Sequence, residues 1–217
     1  MESSILGPLI HGMNAILQFF FGLTGNYGWA IILLTLAIRA VLLPVSLYQM
    51  HNLRRMQAIA PLQKQIREKY KKDPAKMNEE LMALFQTHRI NPMAGCLPTV
   101  IQLPFLWALF LSLEKLHPVH GSSFFWIPSL AAADPLHILP IFAGASTIFQ
   151  GLLSVPGNNK DQSQRSVWLI MGVVFAWFTW KFPSGLALYW ALSNVVSIGQ
   201  QYFINRRFVP PVAVAKK

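Results

Sequence analysis

Trp29-Ala-Ile-Ile-Leu-Leu-Thr-Leu-Ala-Ile-Arg-Ala-Val-Leu-Leu-Pro-Val-Ser-Leu47 is the stretch that decides the fold class. These nineteen residues are apolar except for Thr35, Arg39, Pro44 and Ser46. As a helix rising about 1.5 Å per residue they reach roughly 28 Å, close to the hydrocarbon thickness of a bilayer. Four more apolar runs follow: Met93 to Leu113, Leu136 to Val155, Val167 to Phe182 and Leu186 to Ile204. The expectation is an all-α membrane protein with five transmembrane helices. The fourth run has only sixteen residues, about 24 Å, which predicts a locally thinned bilayer there.

Composition agrees. Hydrophobic residues make up 53% of the 217 and charged residues 12%, with a mean hydropathy of +0.40. Soluble domains average roughly 25% charged, and so little charge does not cover a globule this apolar. The formal charge of +10 attracts polyanions in general, but the basic residues lie between apolar runs, where they set membrane orientation. No nucleic-acid specificity is expected.

Segment 51–92 holds nine basic residues, including Arg54, Arg55, Lys64, Arg67, Lys71 and Lys72. Lys160 and Arg165 follow the third run, and Arg206, Arg207, Lys216 and Lys217 stand in the tail. The alternate side carries Lys115 and Lys181 alone. By the positive-inside rule the N-terminus faces outward and the C-terminus lies in the cytoplasm of a bacterial plasma membrane. The resulting partition is an N-terminal interfacial amphipathic helix (1–27), a first span (28–50), a cytoplasmic helical hairpin (51–92), a second span (93–113) and an external loop (114–135). A third span (136–155), a cytoplasmic loop (156–166), a fourth span (167–182), a fifth span (186–204) and a basic tail (205–217) complete it.

The interfacial helix rests on Ile5, Leu6, Leu9, Ile10, Met13, Ile16, Leu17 and Phe20 at helical spacing, with no charge on the polar side. In the hairpin, Ile59, Leu62, Ile66 and Tyr70 form one stripe, and Met77, Leu81, Leu84 and Phe85 another. Asp73-Pro74 between them reads as an N-cap with proline at the first helical position. Such a basic hairpin either rests on anionic headgroups or binds a partner directly. The opening Met1-Glu-Ser-Ser has no basic segment, so it is not an ordinary signal peptide. Either the first span inserts without one or an upstream segment precedes it. Cys96, the single cysteine, reads as a small apolar residue.

Arg39 is the most informative residue. Charge at mid-membrane costs about 2.5–3.5 kcal/mol on insertion scales, and no Asp or Glu falls inside any of the five runs. A water-filled cavity is the expected way to keep the guanidinium solvated. Thr35 and Ser46 share its face; Thr99 and Gln102 stand on the second run; Ser146, Thr147 and Gln150 cluster on the third. Tyr189, Ser193, Ser197 and Gln200 follow helical spacing on the fifth, with Asn194 alongside. Taken singly, most of these read as interhelical hydrogen bonds; Thr35, Gln102 and Asn194 are expected to join Arg39.

Enzyme signals are weak. Ser112-Leu-Glu-Lys115 matches a bare Ser-x-x-Lys pattern without its companion motifs. His117 and His120 have no third ligand nearby, and no nucleotide fingerprint appears. Neither catalysis nor a cofactor or metal is expected. A small solute transporter or channel could use the same polar cavity, but the internal repeats usual in transporters are not evident.

The stretches Asn91-Pro-Met-Ala-Gly-Cys-Leu-Pro98 with Gln102-Leu-Pro104, Asp134-Pro135 through Ile138-Leu-Pro140, and Phe182-Pro-Ser-Gly-Leu-Ala-Leu-Tyr189 with Ser193-Asn194 and Gln200-Gln201 resemble the YidC/Oxa-type insertases. Arg39 followed by Leu43-Pro44 is similar to the family's first conserved span, and the match runs from about residue 20 to 207. The resemblance implies a five-helix core around a groove open to cytoplasm and lipid and closed outside. Arg39 would be its positive charge, with Thr35 and Gln102 as neighbours, and Tyr189, Trp190 and Asn194 would line the substrate path. Segment 51–92 would be a mobile hairpin that receives substrates. The implied activity is insertion of nascent membrane proteins, without nucleotide hydrolysis, alongside anionic lipids and a ribosome, signal recognition particle or Sec translocon. The short form, without a large periplasmic domain or a long basic tail, is expected, and Trp190 stands where some members have a second tyrosine.

Overall fold

The computed structural model describes residues 7–91, 97–114, 123–154 and 162–207. Ile5, Leu6, Cys96, Lys115, His117, His120, Lys160, Lys216 and Lys217 lie outside the described residues, as do the side chains of Thr99, Arg206 and Arg207. Every regular element described is a helix: α1 (Gly7–Thr24), α2 (Tyr27–Val41), α3 (Leu43–Ala58), α4 (Ala60–Lys69), α5 (Pro74–Thr87), α6 (Leu97–Glu114), α7 (Ile138–Ser154), α8 (Gln162–Lys181) and α9 (Ser184–Arg207).

Local chemistry sets the helix ends. Gly25, at φ +67°, closes α1 by donating its N–H to Phe21 O at 2.7 Å, a conformation that costs glycine least. Asn26 then caps α2, its Oδ1 accepting from Gly28 N at 2.8 Å. Asp73 caps α5 as its sequence suggests, accepting from Lys76 N at 3.1 Å with Pro74 opening the helix.

The apolar run 29–47 is not one straight span. α2 stops at Val41, Leu42 N donates to Ile38 O at 2.9 Å, and α3 departs at 61°. Pro44 explains the break: it has no N–H for the Ala40 carbonyl, and its ring crowds that oxygen. Arg39 therefore sits in the last turn of α2, where the helix dipole favours a cation.

By length and composition, no single helix among the described residues is long and apolar enough to cross a membrane, whereas the bent pair α2–α3 is. α8 begins at Gln162, ahead of the apolar run at Val167, so its 20 residues reach about 30 Å rather than the 24 Å expected. Its first turns, Gln162-Ser-Gln-Arg165, are polar. What α8 presents outward is apolar all the same: Val173 is 65% and Trp177 71% exposed. Continuous apolar surface of this kind marks an interface with lipid or protein.

The core is formed by α1, α2, α6 and α9 with residues of 123–139. Met13 and Leu17 of α1, Ile31 and Leu34 of α2, Leu109 and Leu113 of α6, and Leu186 of α9 are buried together. Met13 and Leu17 belong to the stripe expected on the first helix; Ile16 of that stripe is exposed. α7 packs most extensively on α8 and then on α9. At the α7–α8 crossing a Cβ on Gly144 would lie 2.7 Å from Gly172 O, so the two backbones approach as only small residues allow.

α4 and α5 fold against one another. Tyr70 Oη donates to Glu80 Oε1 at 3.1 Å, and the Lys69 and Lys76 ammoniums lie 5.1 and 5.6 Å from its ring centroid. No residue of α5 is buried.

Candidate functional site

One end of the helical assembly is closed by residues 123–139. Ser184 N donates to Ala132 O at 2.7 Å and Gly185 N to Leu130 O at 2.9 Å, so loop carbonyls satisfy the amides at the start of α9. Asn26 Nδ2 donates to Ser123 O at 2.7 Å, tying in α2. Asp134 is buried and accepts from Trp126 Nε1 at 3.0 Å, Leu136 N at 3.1 Å and Leu139 N at 2.8 Å. A carboxylate with three donors is fully committed. Ile127 and Leu130 from this loop are buried in the core.

Away from that end the apolar packing stops. On α2 the last buried apolar residue is Leu34, followed by Thr35; among the described side chains of α6 the buried apolar residues begin at Ala108, with Gln102 before them; on α9 Tyr189 and Ala191 are followed by Ser193 and Asn194. Four buried polar atoms lack a hydrogen bond of good geometry: Arg39 Nε, Gln102 Nε2, and Tyr189 Oη and Ser193 Oγ, the last two close enough to each other to interact. Tyr189 is close enough to Arg39 for the two to interact electrostatically. Thr35 is buried beside them, but its hydroxyl is taken up by Ile31 O at 2.6 Å. Among the described residues Arg39 has no carboxylate within ion-pair distance; the ion pair found there joins Lys64 to Glu68 on an exposed helix face.

Leaving a buried donor or acceptor unmatched costs about 1–3 kcal/mol. Such atoms on three helices make Arg39, Gln102, Tyr189 and Ser193 the candidate site.

Trp190 and Asn194 do not join this group. Asn194 Nδ2 donates to Ser146 Oγ at 3.0 Å and Thr147 Oγ1 at 2.9 Å, and Trp190 Nε1 donates to Thr147 Oγ1 at 3.0 Å. The Trp190 ring stacks on Phe175 of α8 at 4.1 Å. These side chains clamp α9 to α7 and α8. Ser193, already on the Tyr189 face by its spacing of four, takes the place expected of Asn194. Ser46 lies beyond the bend, donating to Leu42 O at 3.1 Å. On the hairpin segment Lys64, Lys71 and Lys72 are exposed, and Arg54, Arg55 and Arg67 are half-buried. No group of His, Cys, Asp or Glu among the described residues could hold a metal ion.

The chain as a whole is similar to known proteins. Residues 19–211 match the family model described as 60Kd inner membrane protein. The chain is 40% identical over 200 residues to a protein named membrane protein insertase YidC from Geobacter sulfurreducens, covering 92% of this chain and 36% of that protein. It is 39% identical over 194 residues to a protein of the same name from Caldanaerobacter subterraneus, covering 89% of this chain and 92% of its relative. Among solved structures, a crystal structure of an active YidC insertase with its first transmembrane domain resolved aligns with a TM-score of 0.76 at 28% identity, over 93% of this chain and 47% of the other. The chain thus spans little more than a third of the Geobacter protein and nearly all of the Caldanaerobacter one.

Proposed function

The chain belongs to the 60Kd inner membrane protein family, that of the YidC/Oxa-type insertases, and we propose that it inserts other proteins into the bilayer by sheltering their hydrophilic tails beside Arg39. That family is not an enzyme family. The observation that carries the proposal is the set of buried polar atoms of Arg39, Gln102, Tyr189 and Ser193 that lack a hydrogen bond of good geometry, with Tyr189 still part of the packed core.

A substrate's short acidic tail enters from the side where the packing is missing. Arg39 attracts it; a unit charge about 8 Å away at an effective dielectric near 20 contributes about 2 kcal/mol. Gln102, Tyr189 and Ser193 offer hydrogen bonds that lower the cost of burying the tail. The substrate's apolar helix passes beside α2, α3 and α9 into lipid, where its burial supplies roughly 25 cal/mol per Å² of apolar area. No nucleotide enters the scheme. The five-span arrangement, with the basic segment 51–92 in the cytoplasm and residues 123–139 outside, is part of the same proposal. So are nascent membrane proteins as substrates and a ribosome, signal recognition particle or Sec translocon as partners.

The test is insertion of a single-span substrate with an acidic tail by purified protein in proteoliposomes. Arg39→Ala should slow it roughly thirtyfold, the loss expected from about 2 kcal/mol of attraction. Arg39→Lys should retain most activity, and a neutral-tailed substrate should respond less. Equal rates for wild type and Arg39→Ala would remove Arg39 from the mechanism. A photocrosslinker at Gln102 should capture a stalled substrate, whereas one at Asn194, buried against α7, should not.

A further inference from the structure

The connection between α6 and α7 carries an apolar tip that the groove does not use. Phe124 and Ile127 exchange backbone hydrogen bonds at 2.9 Å in both directions, making Phe125 and Trp126 the two central residues of a tight turn. Phe125 has φ +50° and is 78% exposed. Glycine, asparagine or aspartate normally takes such a position, and a bulky aromatic there is an outlier. Strain of this kind persists only where the surroundings enforce it. Here Phe124 and Ile127 are buried in the core while Asp134 holds the Trp126 indole N–H, so the tip cannot withdraw.

Its surroundings match. Leu136 is 59% exposed and Trp29, which meets Phe124 edge-on at 5.7 Å, is half exposed. Across residues 123–138 the only charged side chain is Asp134, and that carboxylate is buried. The tip is continuous with the apolar flank that α8 presents, through His137 stacked on Trp180 at 4.0 Å. Lys181 follows Trp180 and is exposed.

We infer that Phe125, Trp126 and Leu136 form a fixed anchor that dips into the headgroup–acyl boundary of the leaflet on the closed side of the molecule. A phospholipid surface fits better than a water-facing protein partner. Aromatic rings beside a lysine are the side chains that settle at this depth, and among the described residues 123–138 no exposed side chain carries a formal charge of the kind that rims a protein interface. The inference rests on the membrane reading above, and its test separates the two.

In a Cys96→Ser background, Phe125→Cys, Leu136→Cys and Val173→Cys are each labelled with a small fluorophore and reconstituted in pure phospholipid vesicles. Quenching is compared among lipid nitroxides near the headgroup, lipid nitroxides near the chain end, and aqueous iodide. Labels at 125 and 136 should be quenched severalfold more by the shallow nitroxide than by iodide, and the label at 173 most by the deep one. Iodide quenching at both 125 and 136, with 173 still quenched by lipid, would overturn the anchor alone. Iodide quenching at all three would overturn the membrane reading and the anchor with it.

Discussion

Tyr189 and Asn194 lie five residues apart on α9, both buried, and should respond in opposite ways to losing their polarity. Asn194→Leu removes bonds to Ser146 and Thr147 and should cost about 1–2 kcal/mol, seen as a lower midpoint in thermal unfolding of the detergent-solubilised protein. Tyr189→Phe removes a hydroxyl that has only the Ser193 hydroxyl beside it and makes no hydrogen bond of good geometry, so the same midpoint should hold while insertion of a polar-tailed substrate falls. A destabilised Tyr189→Phe would mean that its hydroxyl holds the fold together. Arg39, Thr35, Gln102 and Tyr189 were legible in the sequence because a charge, amide or hydroxyl inside an apolar run stands out. Asn194, expected beside Arg39 from the polar pattern, and Trp190, expected on the substrate path from the resemblance, instead bond to α7, because a pattern gives an angle around a helix and not the neighbour at that angle. Each follows the Tyr189–Ser193 row by one residue, a rotation of about 100°, which turns them toward α7 and α8.

At the scale of elements, sequence reading worked where a local motif carries the physics. Asp73-Pro74 announces α5 whatever surrounds it, because cap and proline act within one turn. It failed where hydropathy was trusted for geometry. Pro44 is hidden in an apolar run that continues past it, so length suggested a straight span where the backbone bends by 61°. Likewise the polar start of α8 hid its first turn. The α7–α8 pairing escaped notice because glycines in apolar runs are common and carry no partner information. Its consequence is specific: within lipid, helix association depends on close packing more than on hydrophobicity. Gly172→Leu would force a Cβ to within 2.8 Å of Gly144 O, and overpacking of this sort costs about 1–3 kcal/mol. The same change at Gly12, where a Cβ meets nothing within 4 Å, should leave the unfolding midpoint in place.

Across the whole molecule, cohesion is uneven in a way that separates the packed helices from the basic arm. α7 is gripped by α8 and α9, and α2 by α1 and α9, whereas α4 packs on α5 and on the end of α3. Elements with little burial open locally with small free energies. Amide hydrogen exchange should therefore run at least roughly a hundredfold faster in α4 and α5 than in α7, since about 2.7 kcal/mol of difference in opening free energy suffices. Equal protection would mean that the arm is fixed to the rest. Vesicle composition then separates the two roles open to this arm. Each lysine or arginine near an anionic surface contributes about 1 kcal/mol, and Lys64, Lys69, Lys71, Lys72 and Lys76 are all exposed. If the arm rests on headgroups, adding anionic lipid should slow exchange in α4 and α5 alone, and raising salt should reverse it, because screening acts on exposed charges first. If exchange ignores the lipid and slows only when a substrate or ribosome is supplied, the arm's charge serves a macromolecular partner.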